Sequence, residues 1–298
     1  MSARTRTIAV LAAAASASAL LLGAPADAAP AHHGDPTLTN KALVSYVYDQ
    51  LLRYNNVSAV DKWIAPDYKQ HNPQLADGPA GLRTYIAWRA AQNPQPRNYQ
   101  KRVIAEGDLV TVMNDYQEQP GVSYMNIADT FRVRDGKLVE HWDTIEPVLP
   151  TTANGHNVYS TLSWPQVNTA DPNASTTRNR QLVENYFNGL TKRHDASVID
   201  RYVARNVFQH DQTLRDGSAA VKTAYLADRA AHPHSIVSSV QLIAEGDLVS
   251  VHYHYQADAA DRGKAVEEVF RVRDGRIVEH WDAHQDVPAT AANPNTMF

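Results

Sequence analysis

Hydrophobic residues near the start of the chain recur with helical spacing. Leu43, Val47 and Leu51 are four residues apart, which puts them on one face of a predicted helix. Two shorter helices are predicted to follow, over 58–65, where Pro66 ends the pattern, and over about 79–92. The first part of the chain is therefore predicted to be helical.

The spacing then changes to an alternation of apolar and polar residues, which is typical of strands. Turns are predicted at Glu106-Gly107 and Asp135-Gly136. Helices followed by an antiparallel meander predict an α+β fold. Four strands are predicted, over 98–105, 108–117, 123–133 and 137–146.

This pattern occurs twice at a constant offset of 139 residues. A constant offset means that the matched part has no net insertion, so a whole domain has been duplicated. We predict domains at 37–149 and 176–288, joined by a polar linker at 150–175. The recurring segments are "QHN" at 70–72 and "QHD" at 209–211, "IAEGDLV" at 104–110 and 243–249, and "FRVRDGKLVEHWD" at 131–143 and "FRVRDGRIVEHWD" at 270–282.

The first 28 residues have the pattern of an export signal. Arg4 and Arg6 precede an apolar run, Ile8 to Leu22, and the small-residue site Ala26-Asp27-Ala28 follows it. We expect cleavage after Ala28 and a secreted protein. The alternative is a retained N-terminal membrane anchor.

Composition narrows the classes of function. The chain has no cysteine, so it has no thiol nucleophile or thiolate metal site. Its 28 Lys and Arg and 32 Asp and Glu give a formal net charge of −4, without basic runs. This balance argues against nucleic acid or an anionic membrane as a partner. No later apolar run is long enough to predict stable membrane insertion.

Alternation along the last strand predicts a polar cluster at the end of an apolar face. Val139, His141 and Asp143 share a face, and a three-residue turn would pair Phe131 with Val139 and Asp129 with His141. A two-residue turn would shift that pairing by one residue. An apolar floor leading to polar groups is the lining of a small-molecule pocket.

Carboxylates in such a pocket suit acid/base chemistry. Burial raises the pKa of a carboxyl group towards neutral pH, where it can take a proton from carbon. A neighbouring histidine held by a second carboxylate can polarise a carbonyl oxygen. The second copy carries the corresponding set Glu268, His280 and Asp282.

The chain resembles the SnoaL-like branch of the nuclear transport factor 2 superfamily. The resemblance rests on "QHNP", "AEGDLV" and "DGKLVEHWD", and it covers both domains. It implies that each domain is a cone, a curved antiparallel sheet closed by three N-terminal helices around a pocket. In polyketide cyclases of this branch, an aspartate ending a "DGKxxxHxD" segment is the acid/base of an aldol ring closure.

That role would fall on Asp143 with His141, and on Asp282 with His280. The chain departs from the cyclase pattern at Asp129 and Glu268, where the cyclase has histidine, and in having Trp142 and Trp281 inside the motif. Alternation predicts that both tryptophans pack on the outer sheet face, between the domains.

His71 of "QHN" and His210 of "QHD" are expected to reach the pockets from the opposite side, as orienting or electrophilic partners. The alternative is that each histidine stabilises a bend through its backbone contacts.

A metal is the alternative to cofactor-free chemistry. His71, Asp129, His141 and Asp143 could offer two nitrogens and two oxygens, and "HYHY" adds His252 and His254. These residues lack a recognised metal-site spacing, so no metal or other cofactor is expected.

We therefore expect a secreted protein with two domains, each binding a small apolar, carbonyl-bearing molecule. As an enzyme it would catalyse aldol-type cyclisation, isomerisation or dehydration without a cofactor. Hydrolysis of an ester or epoxide by an activated water is a lesser alternative. A different class of function is a non-catalytic extracellular binding module. The two domains are expected to pack as an intramolecular pseudo-dimer.

Overall fold

The computed structural model describes residues 36–162 and 170–298. The predicted export signal, residues 1–28, lies outside these ranges. Within them, no helix is long and apolar enough to cross a membrane.

Each half of the chain has the same order of elements. The first half contains α1 (Pro36–Tyr48) continued by a π-helical turn (Asp49–Arg53), α2 (Ser58–Trp63), β1 (Ile64–Gln70), α3 (Gly78–Ala90), β2 (Arg97–Glu106), β3 (Leu109–Gln117), β4 (Met125–Arg134) and β5 (Lys137–Pro147). The second half contains α4 (Thr176–Thr191), α5 (Ser197–Tyr202), β6 (Val203–Gln209), α6 (Ser218–Ala231), β7 (Ile236–Glu245), β8 (Leu248–Gln256), β9 (Lys264–Arg273) and β10 (Arg276–Asp286).

The predicted α+β class and the four-strand meander are confirmed in both halves. Each sheet has a fifth strand, however, in the orders β1-β5-β4-β3-β2 and β6-β10-β9-β8-β7. β1 and β6 run parallel to β5 and β10, so each sheet is the predicted antiparallel meander with one additional parallel strand at its edge. The helix predicted to reach residue 65 ends at Trp63. Pro66 is tolerated in β1 because β1 is an edge strand.

The hairpin between β4 and β5 turns through two residues. Asp135 and Gly136 have φ values of +51° and +70°, the left-handed backbone that a type I′ turn requires. Arg134 therefore pairs with Lys137. The three-residue loop on which the predicted pairing rested is not formed.

A bulge at Val139 returns Asp129, His141 and Asp143 to the same face of the sheet, as the alternation predicted. Phe131 pairs with His141, and Asp129 pairs with Asp143, so the predicted pairs Phe131–Val139 and Asp129–His141 are wrong. Because the shorter turn and the bulge each shift the register by one residue, Asp129, His141 and Asp143 still share a face.

A hydrophobic core lies between the helices and the sheet in each half. A third cluster joins the halves and includes residues from both sheets and from the segment after β5. Its buried members are Ile104, Met113, Val158, Tyr159, Leu162, Ala170, Ile243, Leu248, Val269 and Trp281.

Polar contacts between the sheets also repeat at the 139-residue offset. Lys41 bonds to Glu245 at 2.6 Å, and the corresponding residue Arg180 bonds to Glu106 at 2.5 Å. Each glutamate also accepts a hydrogen bond from a backbone N–H of the strand that bears the other glutamate, Glu245 from Ala105 and Glu106 from Ala244. The two halves therefore contact each other through equivalent residues.

Trp281 lies between the domains, as its place on the outer face predicted. It is 1% exposed, and the guanidinium of Arg102 lies 3.7 Å from its ring centroid. Its other face stacks on His210 at 4.6 Å. Trp142 has the equivalent stack on His71 at 4.8 Å, with Arg132 at 5.5 Å.

We predict that Trp281→Ala lowers the free energy of unfolding by about 3–5 kcal/mol, because it leaves a cavity and an unstacked guanidinium between the domains. Trp88→Ala is the matched control, since Trp88 is 52% exposed and its loss is expected to cost about 0.5 kcal/mol. Urea denaturation measures both. If Trp281→Ala lowers the free energy of unfolding as little as Trp88→Ala does, the interface contributes little to stability.

Candidate functional site

A cavity of about 60 Å³ lies inside the first domain, between α1, α3 and the inner face of the sheet. Asp129, His141 and Asp143 meet in its wall, as predicted. The remaining lining residues are Tyr48, Leu51, Leu52, Tyr68, Gln70, Asn72, Leu75, Leu82, Tyr85, Asn98, Ile127, Phe131 and Ile145.

Asp143 has one oxygen bonded and one oxygen without a partner. Its Oδ2 accepts from Asn72 Nδ2 at 2.6 Å, while Oδ1 is buried with no hydrogen-bond partner. Burial raises the pKa of Asp143 to about 6, and the charge of Asp129 adds to the rise against the opposing effect of His141. Near neutral pH this carboxylate can accept a proton.

His141 is held at both ring nitrogens. Nδ1 lies 2.9 Å from Gln70 Oε1, and Nε2 lies 2.8 Å from Asp129 Oδ1. Gln70 Oε1 also accepts from the Asn72 N–H, so it is an acceptor and the Nδ1 of His141 donates. Burial alone would lower the pKa of His141, but the hydrogen bond to Asp129 and the charges of Asp143 and Asp129 outweigh burial and raise it.

Asp129 is bonded at both oxygens, which suits it to hold His141 rather than to act as a base. Its Oδ2 accepts from Tyr48 at 2.9 Å and from Asn114 at 2.6 Å. The chain of bonds continues from Asn114 to Asn98 and from Asn98 to the buried guanidinium of Arg89.

Tyr68 brings a hydroxyl to the same cavity. Burial raises the pKa of Tyr68 well above its ordinary value, and the charges of Asp143 and Asp129 add to the rise against the opposing effect of Gln70. Tyr68 therefore stays a proton donor.

His71 does not reach the cavity, contrary to the prediction. It stacks on Trp142 and bonds to Glu140 at 3.0 Å on the other face of the sheet. His210 does the same with Trp281 and Glu279. "QHN" ends an extended strand, so alternation turns Gln70 and Asn72 inward and the histidine outward.

The inward positions of Tyr68 and Gln70 were missed because no strand was predicted between Pro66 and "QHN". Alternation across "YKQHN" would have placed Tyr68, Gln70 and Asn72 on one face. Comparing the copies would also have found His284, which stands where the first copy has Ile145.

The second domain has a larger cavity of two lobes, of about 140 and 200 Å³. The predicted residues Glu268, His280 and Asp282 line it, together with His284. His280 bonds to Gln209 through Nδ1, but its Nε2 is buried without a partner. Unlike His141, it therefore has no carboxylate bonded to its ring.

The charges of this second cavity also differ from those of the first. Burial lowers the pKa of His280 to about 4 and raises the pKa of Glu268 to about 7. Burial, with the charge of Asp211, raises the pKa of Asp282 well above its ordinary value. Burial opposes protonation of His284, but Glu146 and Asp282, each 3.6 Å away, outweigh it and raise the pKa of His284 to about 9.

Two groups of residues have potential metal-ligating atoms within 4.8 Å of one another in the described part of the chain. One is Asp129, His141 and Asp143, and the other is Glu146, Asp282 and His284. Both nitrogens of His141 are already bonded, so a metal there would have to break one of those bonds. His71 lies on the other face and does not complete the predicted set.

The segment that follows the last strand of each domain is hydrogen-bonded to the loop after the first strand of the other domain. Two crossing segments, residues 150–159 after β5 and 289–298 after β10, lie across these loops. Asn293 Nδ2 donates to the backbone oxygens of Asn72 at 2.7 Å and Leu75 at 2.8 Å. The equivalent Asn154 donates to the loop at 211–214 at 2.7 and 3.0 Å. The loop that bears Asn72 is therefore fixed by the second half of the chain.

Both halves match family models. Residues 44–141 match a SnoaL-like domain, and residues 180–293 match the SnoaL-like polyketide cyclase. No curated protein matches the chain.

Several solved structures are similar to one domain of this chain. A candidate polyketide cyclase from Bacillus cereus is 21% identical, with a TM-score of 0.33, over 39% of this chain and 82% of its own. A candidate ketosteroid isomerase from Kribbella flavida is 18% identical, with a TM-score of 0.33, over 39% and 83%. A SnoaL-like protein from Agrobacterium tumefaciens is 13% identical, with a TM-score of 0.32, over 37% and 98%.

We predict that Asp143→Asn changes how stability depends on pH. A raised pKa in the folded state means that the carboxyl stabilises the protein below its ordinary pKa of 3.8, and that this contribution is lost as pH rises through about 6. Relative to the wild type, the variant should gain about 1–3 kcal/mol between about pH 4 and pH 8. Urea denaturation across this range measures it, with the exposed Asp67→Asn as control. Parallel profiles of Asp143→Asn and wild type would contradict the raised pKa.

We also predict that Asn293→Ala loosens the loop of the first domain. Loss of two hydrogen bonds to the loop backbone should speed amide hydrogen exchange in residues 70–77 by about tenfold. Asn154→Ala is the matched control and should act on residues 209–216 instead. Exchange that rises in both loops with either variant would indicate a general loss of stability.

Proposed function

Because the chain belongs to the SnoaL-like family, with two such domains in tandem, we propose that its first domain binds a small carbonyl-bearing molecule and moves a proton on it without a cofactor. The support comes from one carboxylate oxygen. Oδ1 of Asp143 is buried, has no partner and belongs to a cavity wall. A carboxylate with a pKa of about 6 suits the removal of a proton from carbon near neutral pH.

Asp143 is the proposed base. It removes a proton from the carbon next to the carbonyl. The electron pair of that C–H bond forms a C=C bond, and the π pair of the carbonyl moves to the oxygen to give an enolate. Asp143 then returns the proton to another carbon, which completes an isomerisation. In an aldol closure, the enolate carbon instead attacks a second carbonyl of the same molecule, and the proton goes to the new alkoxide.

Tyr68 is the proposed electrophilic partner. Its hydroxyl, whose pKa burial raises well above the ordinary value, donates to the developing enolate oxygen. His141 cannot take this part without losing a bond to Gln70 or Asp129. Its role is to place a positive charge beside Asp143 and to keep that group ionisable despite burial.

The size of the cavity limits the substrate. A cavity of about 60 Å³ is less than half the size of the protein cavities of about 150 Å³ that bind benzene, so it holds only the reacting end of a molecule. The half-buried side chains of Leu52, Leu75 and Tyr85 form the mouth. We assign the apolar body of the substrate to this mouth and to the adjacent Trp88, which is stacked against Tyr85.

We further propose that the two domains act as a fixed intramolecular pseudo-dimer and that the protein is exported. Contacts that repeat at the 139-residue offset support the first proposal. The basic and apolar pattern of residues 1–28 supports the second.

The test is proton exchange. The full chain is incubated in D₂O with small cyclic ketones, including 2-cyclopentenone and cyclohexanone, and loss of the α-proton signal is followed by NMR. We expect exchange to rise with pH through about 6 and Asp143→Asn to slow it by about 100-fold or more. Tyr68→Phe should slow it by about tenfold.

Asp67→Asn, an exposed change of the same charge in the same domain, is the control and should leave exchange unaltered. Exchange that survives Asp143→Asn would rule out Asp143 as the base. A ketone that binds in the cavity without exchange would favour the binding-module alternative.

A further inference from the structure

The second domain differs from the first at the positions that supply hydrogen-bond donors and positive charge. Arg89, which ends the bonded chain of the first cavity, is replaced by Asp228. Asn72, which donates to Asp143, is replaced by Asp211. We propose that the cavity of the second domain is a separate binding site for a small organic ammonium ion with an apolar, one-ring body.

The cavity has room for such a molecule. Its two lobes share the wall residues Tyr186, Leu190, Tyr225 and Glu268, so they lie side by side. The lobe of about 140 Å³ is similar in size to apolar protein cavities of about 150 Å³ that bind benzene. Helix α6, which covers it, has no fully buried residue, whereas the equivalent α3 buries three. The second cavity is therefore the more open one.

The hydroxyl donors around this cavity are mostly engaged within the protein. Three tyrosine hydroxyls donate to acceptors of the same domain: Tyr225 to Leu190 O at 3.0 Å, Tyr253 to Glu268 at 3.0 Å and Tyr255 to Asp228 at 2.9 Å. A ligand therefore meets these rings through their faces and edges.

The polar groups left to a ligand are chiefly acceptors. His280 Nδ1 donates to Gln209 Oε1 at 2.8 Å, so the buried, unpartnered Nε2 is a lone-pair acceptor on the cavity wall. Glu268 lies at the junction of the two lobes, and Asp282 lies in the lobe with His280. A donor is needed to satisfy this histidine nitrogen.

Carboxyl groups outnumber cationic groups on the wall. Four carboxyl groups line the two lobes: Asp211, Asp228, Glu268 and Asp282. Of the cations facing them, His284 lies between Asp282 and Glu146, 3.6 Å from each. Arg229 donates to Ser235 and to the backbone oxygens of His232 and Pro233. Neither cation forms an ion pair with Glu268.

An ammonium group meets each of these conditions. It donates to His280 Nε2, it pairs with Glu268 and Asp282, and its charge is stabilised by tyrosine ring faces. Its ring would lie in the lobe bounded by Tyr186, Tyr225 and Tyr253. This inference does not depend on the proton chemistry proposed at Asp143, which lies in the other domain.

Three probes with one carbon skeleton test it on the full chain by isothermal titration calorimetry: 2-phenylethylammonium, 2-phenylethanol and phenylacetate. We expect the ammonium to bind, with the alcohol and the carboxylate at least about tenfold weaker. Glu268→Gln should weaken ammonium binding by about tenfold or more. Asp286→Asn removes the same charge from an exposed site of the same domain and should leave binding unchanged.

Proton release gives a second readout. A bound cation favours ionised Glu268, whose pKa burial raises to about 7, so binding near neutral pH should release protons. Calorimetric titration in two buffers with different ionisation enthalpies measures the number of protons released on binding. If Glu268→Gln fails to fold, Asp228→Asn is measured in its place. Asp228 is half-buried in the wall of the lobe of about 140 Å³.

Four results would overturn the proposal. The first three are failure of the ammonium to bind, equal affinity for the alcohol, and proton uptake on binding. Weakening by Asp286→Asn as large as that by Glu268→Gln would also overturn it, because the effect would then come from net charge rather than from the cavity.

Discussion

The supply of hydrogen-bond donors to buried carboxylates sets the character of both cavities. A carboxylate that leaves water must accept bonds from the protein, remain protonated or attract a cation. In the first domain, Asp129 takes donors from Tyr48, Asn114 and His141, and a chain of amides links it to Arg89. In the wall of the same cavity, Asp143 has one buried oxygen, Oδ1, without a donor, and this is the feature that suits Asp143 to the proposed role of base.

In the second domain, the same fold supplies a different set of hydrogen-bond donors to the buried carboxyl groups. Three substitutions at equivalent positions, Arg89 to Asp228, Asn72 to Asp211 and Asn114 to Tyr253, remove the donor chain. Glu268 then bonds to a tyrosine instead of a histidine, and His280 is neutral. Duplication therefore produced two chemically different cavities, although the hairpin and the end of the motif hardly changed.

The two domains also depend on each other for the geometry of these cavities. The loop that bears Asn72 is bonded by Asn293 from the other end of the chain, and the loop at 211–214 is bonded by Asn154. In the second cavity, Glu146 of the first domain helps to keep His284 charged. A domain expressed alone would lose these contacts, so each cavity is a property of the whole chain.

The sequence by itself determined the duplication, the α+β class, the meander and the shared face of Asp129, His141 and Asp143, because alternation and repetition are local properties of a chain. Only the tertiary structure decided that "QHN" ends an edge strand paired with β5, which turned His71 outward and brought Gln70 and Asn72 inward. It also decided which carboxylates find donors, since those donors come from helices and from the other domain. Pairing between distant segments has no local signal, and the charge of a buried group depends on all the neighbours that folding brings to it.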